Sequence, residues 1–170
     1  MRVAELNELD RDRFVERVGF AFEESPWIAA SAWDDRPFES VEDVHAAMVQ
    51  VVESADPERQ LELIRAHPDL AGRAALAGDL TPASSGEQAS AGLDRLPPEA
   101  LDRLTAATEA YRQKFGFPFV VCVREHTKDS ILAWARERLG HAADREVAIA
   151  LGEIATIAGL RLADLMEEPS

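Results

Sequence analysis

The chain has one cysteine, one tyrosine and three tryptophans in 170 residues, and nowhere a long uninterrupted apolar run. A single cysteine excludes an internal disulfide and fits a reducing compartment. No stretch approaches the apolar length a membrane helix needs. The start, Met1-Arg2-Val3-Ala4-Glu5-Leu6-Asn7-Glu8, turns acidic at once and does not read as a secretory signal, and the closing Glu168-Pro169-Ser170 is not a peroxisomal address. These features set the expectation of a cytoplasmic protein. Basic residues are the other scarcity, 18 against 32 acidic ones for a net charge of -14. A surface of that sign repels phosphate backbones and anionic leaflets, so neither nucleic acid nor membrane is expected as a partner. Salt screens the global field over about 10 Å, so a local Arg or His can still bind an anionic small molecule. Also missing are a P-loop, a dinucleotide fingerprint and a G-x-S-x-G elbow. The four histidines, His45, His67, His126 and His141, form no i, i+4 pair and accompany no cysteine cluster, so no metal site is expected.

What is present is helical periodicity. At 46% hydrophobic content the chain suits one globular domain over 1–170. Phe14, Val15, Val18 and Phe22 recur by helical steps from Asp10, and Ser25-Pro26-Trp27 closes the pattern. Ser40 with Asp43 has the form of a capping box, followed by Val41, Val44, Met48, Val51 and Val52 on one face. Asp56-Pro57 opens a helix to Ala66, and Pro68 ends it. Another runs from Pro98 to Phe115 with Gly116 as its left-handed cap. Helices resume near Thr127, ending before Gly140, and from about Asp144 to Leu165. Phe117-Pro118-Phe119-Val120-Val121-Cys122-Val123 is the one extended stretch. With no second strand to pair with, it is read as a buried connector whose backbone groups need other partners. The expected fold is all-α: a single multihelical domain of roughly seven to nine helices with one short extended connector.

Three polar residues stand out. Pro68 disfavours the α conformation at His67, projecting the imidazole from a helix end into a loop, where it serves either as an acid/base or as a plain cap on the last carbonyls. Ser84-Ser85-Gly86-Glu87 has capping-box spacing, which predicts a helix N-terminus there, a place whose free N–H groups suit an anionic or carbonyl-rich ligand. In the last helix the apolar series Val147, Leu151, Ile154, Ala158 runs onto Arg161 and then Leu165. A guanidinium on a core-facing stripe is paired, binds an anion, or snorkels to solvent along its stem. Cys122 reads as a small buried hydrophobe, and Trp27, Trp33 and Trp134 as core residues with nothing basic around them.

Taken together, Ser25-Pro26-Trp27, His67-Pro68-Asp69-Leu70, Ser84-x-x-Glu87-Gln88, Gly92-Leu93, Phe115-Gly116-Phe117-Pro118-Phe119 and Arg161-Leu162 resemble the signature of the 2-oxo-4-hydroxy-4-carboxy-5-ureidoimidazoline (OHCU) decarboxylases, from about Phe14 to Leu165. The resemblance implies an all-α homodimer that needs no metal or organic cofactor, and the closing residues, which are no peroxisomal address, suit a member of bacterial type. Its substrate would be an anionic ureido-imidazoline, decarboxylated to (S)-allantoin and CO₂ in urate degradation. It implies that His67 is the catalytic acid/base, with Glu87 and Arg161 as polar partners around the substrate. Pro68, Ser84, Ser85, Gly86, Gln88 and the main chain of Phe119, Val120, Val121, Cys122 and Val123 would line the pocket. The competing class is a non-catalytic acidic helical module that binds a partner, with the same His, Glu and Arg as caps and surface pairs.

Overall fold

The computed structural model describes residues 1–68, 70, 81–90 and 92–167. Asp69 of the His-Pro-Asp-Leu motif lies outside the described residues, as does the helical-looking stretch preceding Thr81. Among the described residues there are nine α-helices and no strand. None of those helices is long and apolar enough to cross a membrane. The chain divides into two compact units, Met1–Ala66 with Ala155–Ser170, and His67–Ile154.

The first unit contains α1 (Val3–Glu8), α2 (Arg11–Val18), α3 (Pro26–Ala32), α4 (Val41–Ser54), α5 (Pro57–Ala66) and the C-terminal part of α9 (Ala143–Glu167). Local chemistry sets most of these boundaries. Asp10 caps α2 by accepting from the Arg13 N–H at 2.9 Å. The Ser40 capping box is reciprocal: the Asp43 N–H donates to Ser40 Oγ at 3.1 Å, and the Ser40 N–H donates to Asp43 Oδ2 at 3.0 Å. Pro57 opens α5, and the Asp56 side chain takes the Arg59 N–H at 2.9 Å. Pro26, which the sequence suggested as an end, is also a beginning, because it sits at the first helical position of α3. The buried apolar residues of this unit include Leu6, Phe14, Val18, Phe22, Ile28, Val44 and Met48, with Ala158 and Leu162 from the apolar stripe of α9. α4 is joined to α9 by His45, whose Nε2 lies 2.7 Å from the Ala155 carbonyl. A carbonyl only accepts, so Nε2 carries the proton. Gly159 makes that approach possible, since a Cβ there would stand 3.1 Å from the imidazole. Glu24 is the one non-glycine described at positive φ, 43°.

The second unit contains α6 (Pro82–Ser90), α7 (Pro98–Phe115), α8 (Lys128–Leu139) and the first part of α9. Gly116 adopts φ 77° and donates its N–H to Arg112 O at 2.8 Å, as a left-handed cap requires. Thr127 caps α8 by taking the Ser130 N–H at 3.1 Å. The centre of this unit is polar. Glu146, fully buried, accepts from Arg138 Nε at 2.7 Å, from Tyr111 Oη at 2.6 Å and pairs with His141 Nδ1 at 2.8 Å. Arg138 is fully buried too, and its Nη1 donates to the Val120 carbonyl. Tyr111 carries an aromatic cluster on its rings' edges and faces, with Phe115, Phe117 and Phe119 at 4.6, 5.9 and 5.4 Å.

The extended connector runs through Phe117–Cys122, every apolar residue of it nearly completely buried. It forms no ladder, and two side chains supply backbone partners in its place: Arg138 for Val120 O, and Glu153 for the Cys122 N–H at 3.1 Å. Val123 departs from the expected extended run, because it opens a short 3-10 turn, Val123–Glu125. The tryptophans also depart from expectation. They are half-buried, not core, and basic groups do accompany them: Arg36 lies 3.7 Å over the Trp33 ring, Arg59 4.9 Å over Trp27, and Arg138 5.7 Å from Trp134.

Burial alone would raise the Glu146 pKa, but the hydrogen bonds from Tyr111, Arg138 and His141 outweigh it and hold the carboxyl below its ordinary range. Burial, with Glu146 as neighbour, pushes the Tyr111 phenol far above its usual value. A depressed carboxyl pKa gives stability that is complete above the ordinary value of 4.5 and is lost as the pH falls through the lower folded value. Glu146→Gln, which leaves Arg138 buried without its counter-charge, should cost about 3 kcal/mol or more near neutrality. The wild-type and variant unfolding free energies, measured in denaturant from pH 7 downward, should converge in acid; a constant gap would contradict the account. At Glu24 the left-handed backbone costs a side chain about 1–2 kcal/mol, against about 0.5–1 for the freedom glycine loses on folding. Glu24→Gly should therefore leave the melting temperature unchanged or higher, and Glu24→Val should lower it.

Candidate functional site

α5 stops at Ala66, and His67 follows in a bend directly before Pro68. The helix ends where the pyrrolidine ring makes another helical residue unfavourable. His67 is only 5% exposed, with its Nε2 shut away from solvent. The imidazole therefore lies at the helix break but in the interior, where a proton transfer is shielded from bulk water. Pro68 is half-buried and Leu70 buried.

The helix N-terminus expected at Ser84 is three residues earlier. α6 starts at Pro82, the Thr81 carbonyl accepts the Ser85 N–H at 2.9 Å, and Thr81 Oγ1 accepts the Ser84 N–H at 3.2 Å. Thr81 is thus the cap, and Ser84 with Glu87 is not a capping box. The threonine and proline outcompete the serine because a proline fits the first helical position and a hydroxyl before it reaches the orphan N–H groups. With Ser84 inside the helix, Ser84, Glu87 and Gln88 share one face at steps of three and four. Ser84 and Gln88 are buried and Glu87 half-buried, whereas Ser85 and Gly86 lie on the exposed side. α6 packs on the 3-10 turn Val123–Glu125, which directly follows the connector formed by Phe119, Val120, Val121 and Cys122. Burial raises the Cys122 thiol pKa, so Cys122 behaves as the small hydrophobe expected of it.

Arg161 belongs to the first unit. It is 3% exposed, which rules out snorkelling, and its Nη2 donates to Glu23 Oε1 at 2.8 Å while Nη1 donates to the Phe20 carbonyl at 3.1 Å. Glu23 escaped the sequence reading. Its signal was a carboxylate directly after the apolar Phe20-Ala21-Phe22, two residues ahead of Ser25-Pro26-Trp27. The Arg138–Glu146 pair escaped it as well, and there no local pattern marks either residue. Among the described residues no group of three or more His, Cys, Asp or Glu is arranged to hold a metal ion.

Comparison with known proteins gives these residues a common context. The sequence model of the family described as OHCU decarboxylase matches residues 7–163. A 2-oxo-4-hydroxy-4-carboxy-5-ureidoimidazoline decarboxylase of Halalkalicoccus jeotgali is 42% identical over 97% of this chain and 92% of its own length. One of Haloferax volcanii is 43% identical over 96% of this chain and 95% of its own. A solved structure titled as (S)-allantoin synthase superposes with a TM-score of 0.79 at 27% identity, covering 98% of this chain; the chain spans 55% of that longer one. The match takes in His67, Glu87 and Arg161 and most of each compact unit, and on that extent and identity the chain belongs to the OHCU decarboxylase family.

Proposed function

We propose that the chain removes CO₂ from OHCU to leave (S)-allantoin in urate degradation, as a single catalytic domain over 1–170 that uses no metal or organic cofactor. The observation that carries this reading is the family match over residues 7–163, which includes every polar residue picked out for the site. The single cysteine supports a cytoplasmic setting, and the family resemblance supports a homodimer acting on a small anionic substrate.

The chemistry asks little that this residue set lacks. Decarboxylation leaves an electron pair on carbon, and many enzymes recruit a cofactor as the sink. In OHCU the carboxylate-bearing carbon adjoins a ring C=N unit, so the pair delocalises onto nitrogen as the C–C bond breaks and CO₂ departs. The two ring carbons are then joined as an enol, and a proton must reach one face of the neighbouring ureido-bearing carbon, the stereocentre of allantoin, as the hydroxyl-bearing carbon becomes the ring carbonyl. His67 delivers or relays it, since an imidazole changes protonation state near neutrality and this one is shielded from solvent. Glu87 orients the imidazole and supports its charged form. Arg161 contributes a planar hydrogen-bonding fork to the substrate. Pro68, the Ser84–Gln88 run and the backbone from Phe119 to Val123 form the walls, with the connector's amides reading ureido and ring groups. Protonation on a fixed face yields one stereoisomer.

His67→Ala and His67→Asn should retain the far-ultraviolet circular dichroism and melting temperature of the wild type while lowering turnover by about 10²-fold or more, the scale of a positioned acid/base. The ultraviolet decay of OHCU generated in situ from urate reads this directly. Near-normal turnover in either variant removes His67 from the mechanism, and wild-type protein that does not accelerate the decay over buffer favours a non-catalytic module. Chelator should leave the rate unchanged; a loss would point to a metal hydrolase-like chemistry instead.

A further inference from the structure

Glu23 is an unusual place for a carboxylate. Its side chain is 1% exposed, it follows an apolar run, and it opens the short turn leading into α3. Two backbone features hold that turn. Glu24 adopts φ 43°, a conformation disfavoured for a side chain, and Ser25 Oγ donates to the Glu23 carbonyl at 2.8 Å. All of this directs one carboxylate at one guanidinium, Arg161, which is also tied to the Phe20 carbonyl. Stability alone is a poor reason for such a device, because replacing a buried ion pair by apolar residues is often neutral or stabilising.

We propose that Glu23 is a positioning residue for the decarboxylation: it fixes the Arg161 fork and cancels its charge, so that Arg161 meets the substrate as an oriented hydrogen-bond donor and not as a free cation. This rests on the assignment of Arg161 to the substrate made above. The physical motive lies in where charge moves. The substrate carboxylate is negative in the ground state and loses its charge as CO₂ forms, while the electron pair spreads into the ring. An uncompensated cation against that carboxylate would stabilise the ground state more than the transition state and slow the step. A neutralised Arg161 instead favours a ureido or ring carbonyl oxygen, whose acceptance of a hydrogen bond strengthens as the ring takes up the pair. A guanidinium has five N–H donors in a fixed fork, so anchoring it from one side determines where the others point.

The test separates position from charge. Glu23→Gln keeps the volume and an acceptor oxygen but removes the compensating charge, and should lower kcat by about 10-fold or more with KM unchanged or lower, the pattern of an over-stabilised ground state. Glu23→Asp keeps the charge but withdraws the carboxylate by one methylene, and should raise KM with a smaller loss of kcat. A purely structural Glu23 predicts lower melting temperatures with wild-type kcat and KM in the folded protein, and that result overturns the proposal. If Glu23→Gln does not fold, Glu23→Asp decides, with wild-type kcat and KM again contradicting it. Arg161→Lys isolates the underlying assignment. Wild-type kinetics there remove Arg161 from the substrate, whereas an impaired Arg161→Lys beside an unaffected Glu23→Gln refutes the role of Glu23 alone.

Discussion

A guanidinium that is 3% exposed on the core-facing stripe of a helix must be met by an anion, and in this protein the requirement reaches back to the start of the chain. Arg161 is met by Glu23 and by the Phe20 carbonyl, contacts that close over 138 and 141 residues of sequence. The 3-10 turn Gly19–Ala21, the left-handed Glu24 and the Ser25 hydroxyl form the short stretch that presents them. The second unit meets the same demand separately. There Arg138 is buried against Glu146, with Tyr111, His141 and the Val120 carbonyl completing the hydrogen bonds. Each charge would be expensive alone and is tolerable only because its partners are in place.

That arrangement bears on function because interior polar groups act strongly when water is excluded. The reaction of this family carries its own electron sink, so the protein's contribution reduces to orientation, a proton and hydrogen bonds to the ring. His67 is held by a helix break and buried, Ser84, Glu87 and Gln88 share one helical face, and the connector is pinned by Arg138 and Glu153. A catalyst of this kind depends on preorganisation.

Much of the fold could be read from local signals. Ser40 with Asp43, Pro57, Gly116 and Thr127 each set a helix end through bonds within four residues, and the helix count followed from them. His67 and Arg161 were legible for a related reason, since a proline beside the one and an apolar period through the other are properties of adjacent residues. The misreadings came where two local signals competed or where the partner was remote. Thr81-Pro82 overrode Ser84 as the start of α6, and Val123 turned because its neighbours Arg124 and Glu125 close a 3-10 turn. Glu23, Arg138, Glu146 and the arginines over the tryptophans are defined by tertiary approach, which periodicity does not encode.

The central claim is a stereospecific decarboxylation carried out by the chain's own residues. Circular dichroism of the allantoin formed from freshly generated OHCU tests it most directly. The circular-dichroism band should carry the sign of authentic (S)-allantoin and accumulate at a rate proportional to the concentration of the purified protein; a band of opposite sign, or optically inactive allantoin appearing at the rate of buffer alone, would contradict the claim.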